Sequence, residues 1–243
     1  MSDFILTEKN YYSSKRPHLS SSKISDYLRS PEQYYAAHVA KTTKKKITPS
    51  MKYGSLVDEI VTRQTISFSP KVLKSENEDL FKTQKFFDED TLVSKTDYED
   101  AHVLAEYILT HVDFLTDETR YQVILEGILE DTLMCGKADI ITPNALIDLK
   151  TTNPSAMRNE ISWDYHTRDF FLYEQMALYR YLLGSDIPCY WLAASQEYDG
   201  ACLLKLFKAD ENLLVMALDR VKAVIRDIKD GKFKNPVVCL PPV

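Results

Sequence analysis

The 243-residue sequence has no apolar run long enough to span a bilayer, and no basic, apolar and small-residue leader at its N-terminus. A soluble protein of the cytoplasm is expected, with no membrane partner. Cysteine is scarce. Cys135, Cys189, Cys202 and Cys239 are scattered without C-x-x-C spacing, and at least three lie among apolar residues, as reduced buried thiols do. No internal repeat and no low-complexity tract is found. A positive surplus is also missing, since 30 Lys and Arg against 36 Asp and Glu leave a net charge of −6. That total does not exclude a polyanionic partner, because binding depends on local phosphate contacts. With 44% hydrophobic and 27% charged residues the chain is not disordered by composition. Its length suits one substantial core, so a single elaborated domain over 1–243 is expected.

The most informative stretch that is present runs from Gly136-Lys137-Ala138-Asp139 to Ile147-Asp148-Leu149-Lys150. Leu133 to Ile141 is rich in apolar residues and stops at the turn cluster Thr142-Pro143-Asn144; Ala145 to Thr151 then resumes an apolar pattern, so the pair reads as a β-hairpin. Asp148 and Lys150 are two apart and share one strand face, while Ile147 and Leu149 point to the other. Asp139 lies just before the turn, within cross-strand or diagonal reach of Asp148. Two carboxylates held together repel unless a cation sits between them, and a hard ion such as Mg²⁺ takes oxygen ligands.

Lys150 separates a hydrolytic centre from a simple ion site. An ammonium beside a metal can orient or help deprotonate a water and offset charge developing on a phosphate. Taken alone, Asp148 and Lys150 are also what a solvated charge pair on an edge strand looks like. Further along, Gln175 and Tyr179 are four apart on a helix expected from about Arg168 to Leu183, so they can reach a common target. Alone, a tyrosine among Phe171, Leu172, Met176 and Leu182 would be core.

Asp139 with Asp148-x-Lys150, inside Gly136-Lys137-Ala138-Asp139 and Asp148-Leu149-Lys150-Thr151-Thr152, resembles the PD-(D/E)XK nuclease superfamily. Gln175 and Tyr179 resemble the Q-x-x-x-Y element of its RecB-like branch. The sequence is most similar to the RecE-type, exodeoxyribonuclease VIII-like phage exonucleases, and more distantly to lambda exonuclease. Leu19-Ser20-Ser21-Ser22 and Ser30-Pro31-Glu32-Gln33-Tyr34-Tyr35 resemble that group's opening helices, so the likeness runs from about Leu19 to Phe207. It implies a mixed α/β fold, a restriction-endonuclease-like central mixed sheet flanked by helices, with an N-terminal helical elaboration.

The resemblance also implies an activity: Mg²⁺-dependent hydrolysis of DNA, with Mn²⁺ as a substitute ion, by a 5′→3′ exonuclease on duplex ends in phage-type recombination. Implied partners are DNA, a single-strand annealing protein and further copies of the chain in a ring. Asp139, Asp148 and the Leu149 carbonyl would ligate the metal, with Glu126, on a strand read from Tyr121 to Leu129, as an additional acid or else a solvated strand carboxylate. Where the branch carries G-x-x-x-H, Gly54 is followed by Asp58, either a carboxylate ligand or a surface helix residue. Gln175 and Tyr179 would position the scissile strand. Some RecB-like nucleases hold an iron–sulfur cluster through clustered cysteines near the C-terminus; no such cluster occurs here, and none is expected. An endonuclease or single-strand-specific nuclease on the same core, and a catalytically silent DNA-binding or assembly protein, are the alternatives.

Two segments are candidates for DNA contact. The run Lys41 to Lys46, with Lys44, Lys45 and Lys46 at its centre, is a strand or duplex contact or a solvated loop, with Lys15, Arg16 and His18 as a weaker patch. The connection after Thr152 holds Trp163, Tyr165, His166 and Arg168, able to stack on an unpaired base or grip a phosphate, or else to pack under the loop. Caps are read at Ser21 or Ser22, Ser30, Ser50 and Thr96. Residues 1–50 read as a helical region, 64–95 as a polar, irregular insertion or lid, 96–208 as the catalytic core, and 210–231 as an amphipathic C-terminal helix with Leu214, Leu218, Val221, Ile225 and Ile228 in one stripe.

Overall fold

In a computed structural model, apolar alternation and helical periodicity resolve into nine strands and seven α-helices among the described residues, which are 5–7, 10–11, 13, 16–43, 47–63, 71–74, 79–82, 92–113, 115–197 and 200–234. In chain order these are β1 (Leu19–Ser20), α1 (Ser21–Arg29), α2 (Pro31–Tyr34) continuing into a π-helical turn (Tyr35–Val39), α3 (Pro49–Arg63), β2 (Lys71–Lys74), β3 (Asp79–Lys82), β4 (Leu92–Ser94) and α4 (Lys95–His111). Then follow β5 (Arg120–Leu129), β6 (Thr132–Thr142), β7 (Ala145–Thr151), a 3₁₀ turn (Pro154–Met157), α5 (Glu160–Asp169), α6 (Leu172–Leu183), β8 (Cys189–Gln196), β9 (Cys202–Lys208) and α7 (Glu211–Lys229), with a last 3₁₀ turn at Lys232–Lys234.

Six of the strands form one mixed sheet. β5 runs antiparallel along one edge of β6, from Arg120 opposite Ile141 to Leu129 opposite Thr132. The other edge of β6 is shared by two partners. β7 pairs with it, antiparallel, only over Ile140 to Thr142, and β1 pairs with it, parallel, only at Met134 and Cys135. Gly136 to Asp139 therefore border a fork between β1 and β7. β8 lies parallel to β7 and β9 antiparallel to β8. A parallel β7–β8 pair requires a crossover, which α5 and α6 provide.

Helices cover both faces. On one, Leu56, Val57 and Ile60 of α3 and Ala101, Leu104, Ala105 and Ile108 of α4 bury against Ile140, Ile147, Leu149 and Leu192. On the other, Trp163 of α5, Met176 and Ala177 of α6, and Leu214 and Ala217 of α7 meet Ala138, Ile141, Leu146 and Trp191. A third cluster, with Leu19, Ile24, Tyr27, Leu178, Val221 and Ile225, fastens α1 to α6 and α7. Cys135 and Cys189 are buried, which pushes both thiols up, Cys189 to about 12. No helix among the described residues is long and apolar enough to cross a membrane.

The structure differs from the sequence expectations at several boundaries. Ser30 does accept the Gln33 N–H, but α4 is capped by Ser94 accepting from Asp97 rather than by Thr96, and the Met51 N–H meets Thr48 Oγ1 rather than being capped from Ser50. The helix expected from Arg168 to Leu183 is two helices, broken where Phe171 takes a left-handed φ of 55°. The segment read as irregular between 64 and 95 contains the antiparallel sheet β2–β3–β4. Its strands of three or four residues are too short to show a period of two.

Glu174 links α6 to α7: it is 3% exposed and its Oε1 lies 2.9 Å from Arg220 Nη2. Burial pushes its carboxyl up, and the helix backbone and Arg220 only partly offset this. A carboxyl raised in the folded state contributes stability below its unfolded pKa, and that contribution is lost as pH rises through the folded value. Glu174→Gln is thus expected to be more resistant to urea than the parent at pH 7.5, with the two midpoints converging as pH falls toward 4.5; midpoints that keep their separation across that range would refute the assignment.

Candidate active site

Strand alternation fails at Asp139 and at its neighbour Gln122. On β6, Ala138 packs toward α6 and Ile140 toward α3 and α4, although they are two residues apart. On the neighbouring β5 the same slip separates Tyr121 from Val123, with Gln122 between them at φ 50°. The Gln122 amide then donates to Asp58 Oδ1 at 3.0 Å and to Asp139 Oδ1 at 3.5 Å. Asp58 comes from α3, which approaches the sheet so closely that a Cβ on Gly54 would lie 2.5 Å from Thr151 Oγ1.

Asp139 also closes the fork. Ile140 opposite Ile147 is the last backbone pair of β6 with β7, and the next step would oppose Asp139 and Asp148. There the strands diverge, and Asp139 Oδ2 accepts the Leu149 N–H at 3.1 Å. A side chain thus satisfies a backbone donor of β7 that the β6 main chain no longer reaches.

Asp148 is 1% exposed. Ile147 and Leu149 belong to the α3–α4 cluster, so Asp148 and Lys150 occupy the opposite face, in keeping with the two-residue period. Lys150 Nζ lies 2.6 Å from Asp148 Oδ2, while Asp148 Oδ1 is buried with no hydrogen-bond partner among the described residues. Burial pulls the Lys150 ammonium down, but the charges of Asp148 and then Asp139 outweigh it, and its pKa stands above the ordinary lysine value. An ionised carboxylate with one oxygen orphaned in the interior is costly unless a cation completes it. The donor set, two carboxylates of which one is buried and incompletely paired, fits a hard divalent ion. Among the described residues no group of three or more His, Cys, Asp or Glu side chains is arranged to hold a metal ion.

Gln175 and Tyr179 join the site from α6. Gln175 Nε2 donates to Tyr179 Oη at 3.0 Å, and Tyr179 Oη lies 3.3 Å from Ser21 Oγ at the start of α1. Burial, then the Asp148 charge, holds the phenol above its ordinary value, so it keeps its proton. The Tyr179 ring lies flush on Gly136: a Cβ there would stand 2.5 Å from Tyr179 Cδ1 and still nearer Cε1.

Other expected residues fall elsewhere. Glu126 opposes Cys135 and bonds through Oε1 to Nε2 of the buried His18 at 2.5 Å. Trp163 is 2% exposed and its ring is stacked on Phe207, with centroids 4.3 Å apart; the structure places it in the core and leaves no face for a base. Arg168 is exposed near the end of α5. His166 lies nearer the centre, with Nε2 3.5 Å from Thr152 Oγ1, and burial followed by the Lys150 charge lowers its pKa. Arg16 packs over the Tyr11 ring. Lys44, Lys45, Lys46 and Lys15 lie outside the described residues. Gln122 and Ser21 were not foreseen as site residues; a lone glutamine in a strand and a serine near a helix start carry no sequence signal of that role.

The forked sheet, the acidic pair at the fork and the lysine two residues on define a fold of the PD-(D/E)XK nuclease type. The chain belongs to the family described as a PDDEXK-like domain of unknown function (DUF3799), which matches residues 20–239. A candidate exonuclease from Eubacterium rectale is 20% identical and superposes with a TM-score of 0.69 over 99% of this chain and 96% of its own, which shows a shared fold. An alkaline exonuclease from Laribacter hongkongensis is 12% identical, with a TM-score of 0.46 over 93% of this chain and 94% of its own. No curated protein matches the sequence.

Because Gly136 and Tyr179 touch, Gly136→Ala is expected to destabilise the protein by about 1–3 kcal/mol through overpacking. Urea unfolding measures this, and an unchanged midpoint would contradict the contact.

Proposed function

We propose that the protein is a Mg²⁺-dependent deoxyribonuclease, specifically a 5′→3′ exonuclease acting on duplex DNA ends. The observation that carries the hydrolytic reading is the buried Asp148, with one oxygen on Lys150 and the other orphaned, beside Asp139 at the fork. End dependence is favoured by the name of the Eubacterium rectale protein of the same fold; polarity, a role in phage-type recombination, an annealing partner and a ring of copies rest on the RecE and lambda resemblance. The whole chain is taken to act as one nuclease unit.

Asp139, Asp148 and the Leu149 carbonyl would hold the ion, which when bound acidifies a water and polarises the phosphoryl oxygen. Mn²⁺ is a substitute with the same oxygen preference. Asp58, tied to Asp139 through Gln122, is the third carboxylate at hand; Glu126, engaged by His18, is left out of this set. Lys150, held as an ammonium, orients the attacking water and offsets charge on the phosphate. Tyr179 and Gln175 position the strand, and Arg168 is an outlying phosphate contact.

Purified protein incubated with linear and covalently closed circular duplex DNA, in Mg²⁺ or in EDTA, is expected to degrade only the linear form and only in Mg²⁺. Cutting of the circle would replace the exonuclease with an endonuclease, and cutting of neither would leave a DNA-binding or assembly protein. Lys150→Ala is expected to lower degradation at least about 100-fold while DNA binding persists; undiminished degradation would remove Lys150 from the site.

A further inference from the structure

Ser21 is the first residue of α1 and is assigned no role in the hydrolysis described above. It is nevertheless buried, at 9% exposure, and its hydroxyl lies 3.3 Å from the oxygen of Tyr179, itself 4% exposed. The same phenolic oxygen accepts from Gln175 Nε2 at 3.0 Å. A phenol has two lone pairs and one proton. If both Gln175 and Ser21 donate to it, both lone pairs are occupied and the proton must leave in a third direction.

Ser21 is also held in place. Immediately before it, Leu19 and Ser20 pair with Met134 and Cys135, so that α1 begins at the mouth of the fork, next to Gly136. Ile24 and Tyr27, further along α1, are buried with Leu178 of α6 and with Val221 and Ile225 of α7. The hydroxyl is thus presented from a strand and a helix that both pack on the catalytic sheet, and the Tyr179 ring is confined from the other side by Gly136.

We propose that Ser21 is a positioning residue: its hydroxyl donates to Tyr179 Oη and, together with Gln175, fixes the direction in which the phenolic proton is presented to the scissile phosphate. This rests on the nuclease reading of the site and adds to it a part for the N-terminal segment, which becomes a supporting wall of the centre. The hydrogen-bonded unit is Ser21–Tyr179–Gln175, spanning α1 and α6.

The test is a double-mutant cycle of Ser21→Ala and Tyr179→Phe, with Ser21→Thr as the conservative variant, read both by Mg²⁺-dependent DNA cleavage and by urea unfolding. Ser21→Ala is expected to lower kcat by about 3- to 10-fold, the range of one neutral hydrogen bond, with KM little changed. Ser21→Thr should restore most of that loss, and Ser21→Ala should have no further effect in the Tyr179→Phe background. An unchanged kcat in Ser21→Ala, or the same loss in both backgrounds, would overturn the proposal. If wild-type protein cleaves nothing, the nuclease reading fails by itself, and the urea cycle still decides the link: coupled midpoints support the Ser21–Tyr179 bond and additive ones sink it.

Discussion

The site depends on the place where β7 leaves β6. Up to Ile140 and Ile147 the two strands satisfy each other's main chains; beyond them Asp139 supplies the acceptor for Leu149 through its side chain. That substitution lets β6 and β7 part without stranding the Leu149 N–H, next to the positions of Asp148 and Lys150 on β7. Backbone polar groups inside a sheet must be paired, so a fork of this kind needs a carboxylate or its equivalent at the branch. Asp139 therefore holds the sheet open as well as supplying a candidate ligand.

Close approach of the helices completes the arrangement. Gly54 lets α3 lie against Thr151, and Gly136 lets the Tyr179 ring lie against β6. The first brings Asp58 to Gln122 and Asp139, and the second brings Tyr179 to the mouth of the fork. Both glycines act by lacking a side chain, since each main chain must come nearer to a neighbour than a Cβ allows. The charges then balance locally. Asp148 and Asp139 keep Lys150 protonated, Lys150 in turn neutralises the more deeply buried Asp148, and the neutral Tyr179 and Gln175 border them without adding charge.

Much of this was legible in the sequence. Asp148 and Lys150 on one face and Ile147 and Leu149 on the other follow from the two-residue period of a strand, and the structure places them so. The amphipathic stripe of α7 is likewise borne by the buried Leu214, Val221 and Ile225. Gln175 and Tyr179 sit one helical turn apart and are hydrogen-bonded. The DNA-facing role expected for Trp163 failed because an aromatic in a helix shows no preference in sequence between a surface and the partner ring it finds in Phe207. The expectation for Glu126 rests on the family resemblance and its place on a strand, neither of which reveals its opposition to Cys135 or its bond to His18, 108 residues earlier.

By itself the sequence determined the local quantities: which residues alternate, which lie a turn apart, and which acids and amines are two positions from one another, because these follow from backbone geometry over a few residues. Tertiary structure decided the rest. The phase slip at Asp139 and Gln122, the partner that Asp58 reaches and the contact between Ser21 and Tyr179 all join segments distant in the chain. Such contacts arise from how a helix or strand packs on the sheet, and no short-range periodicity encodes them.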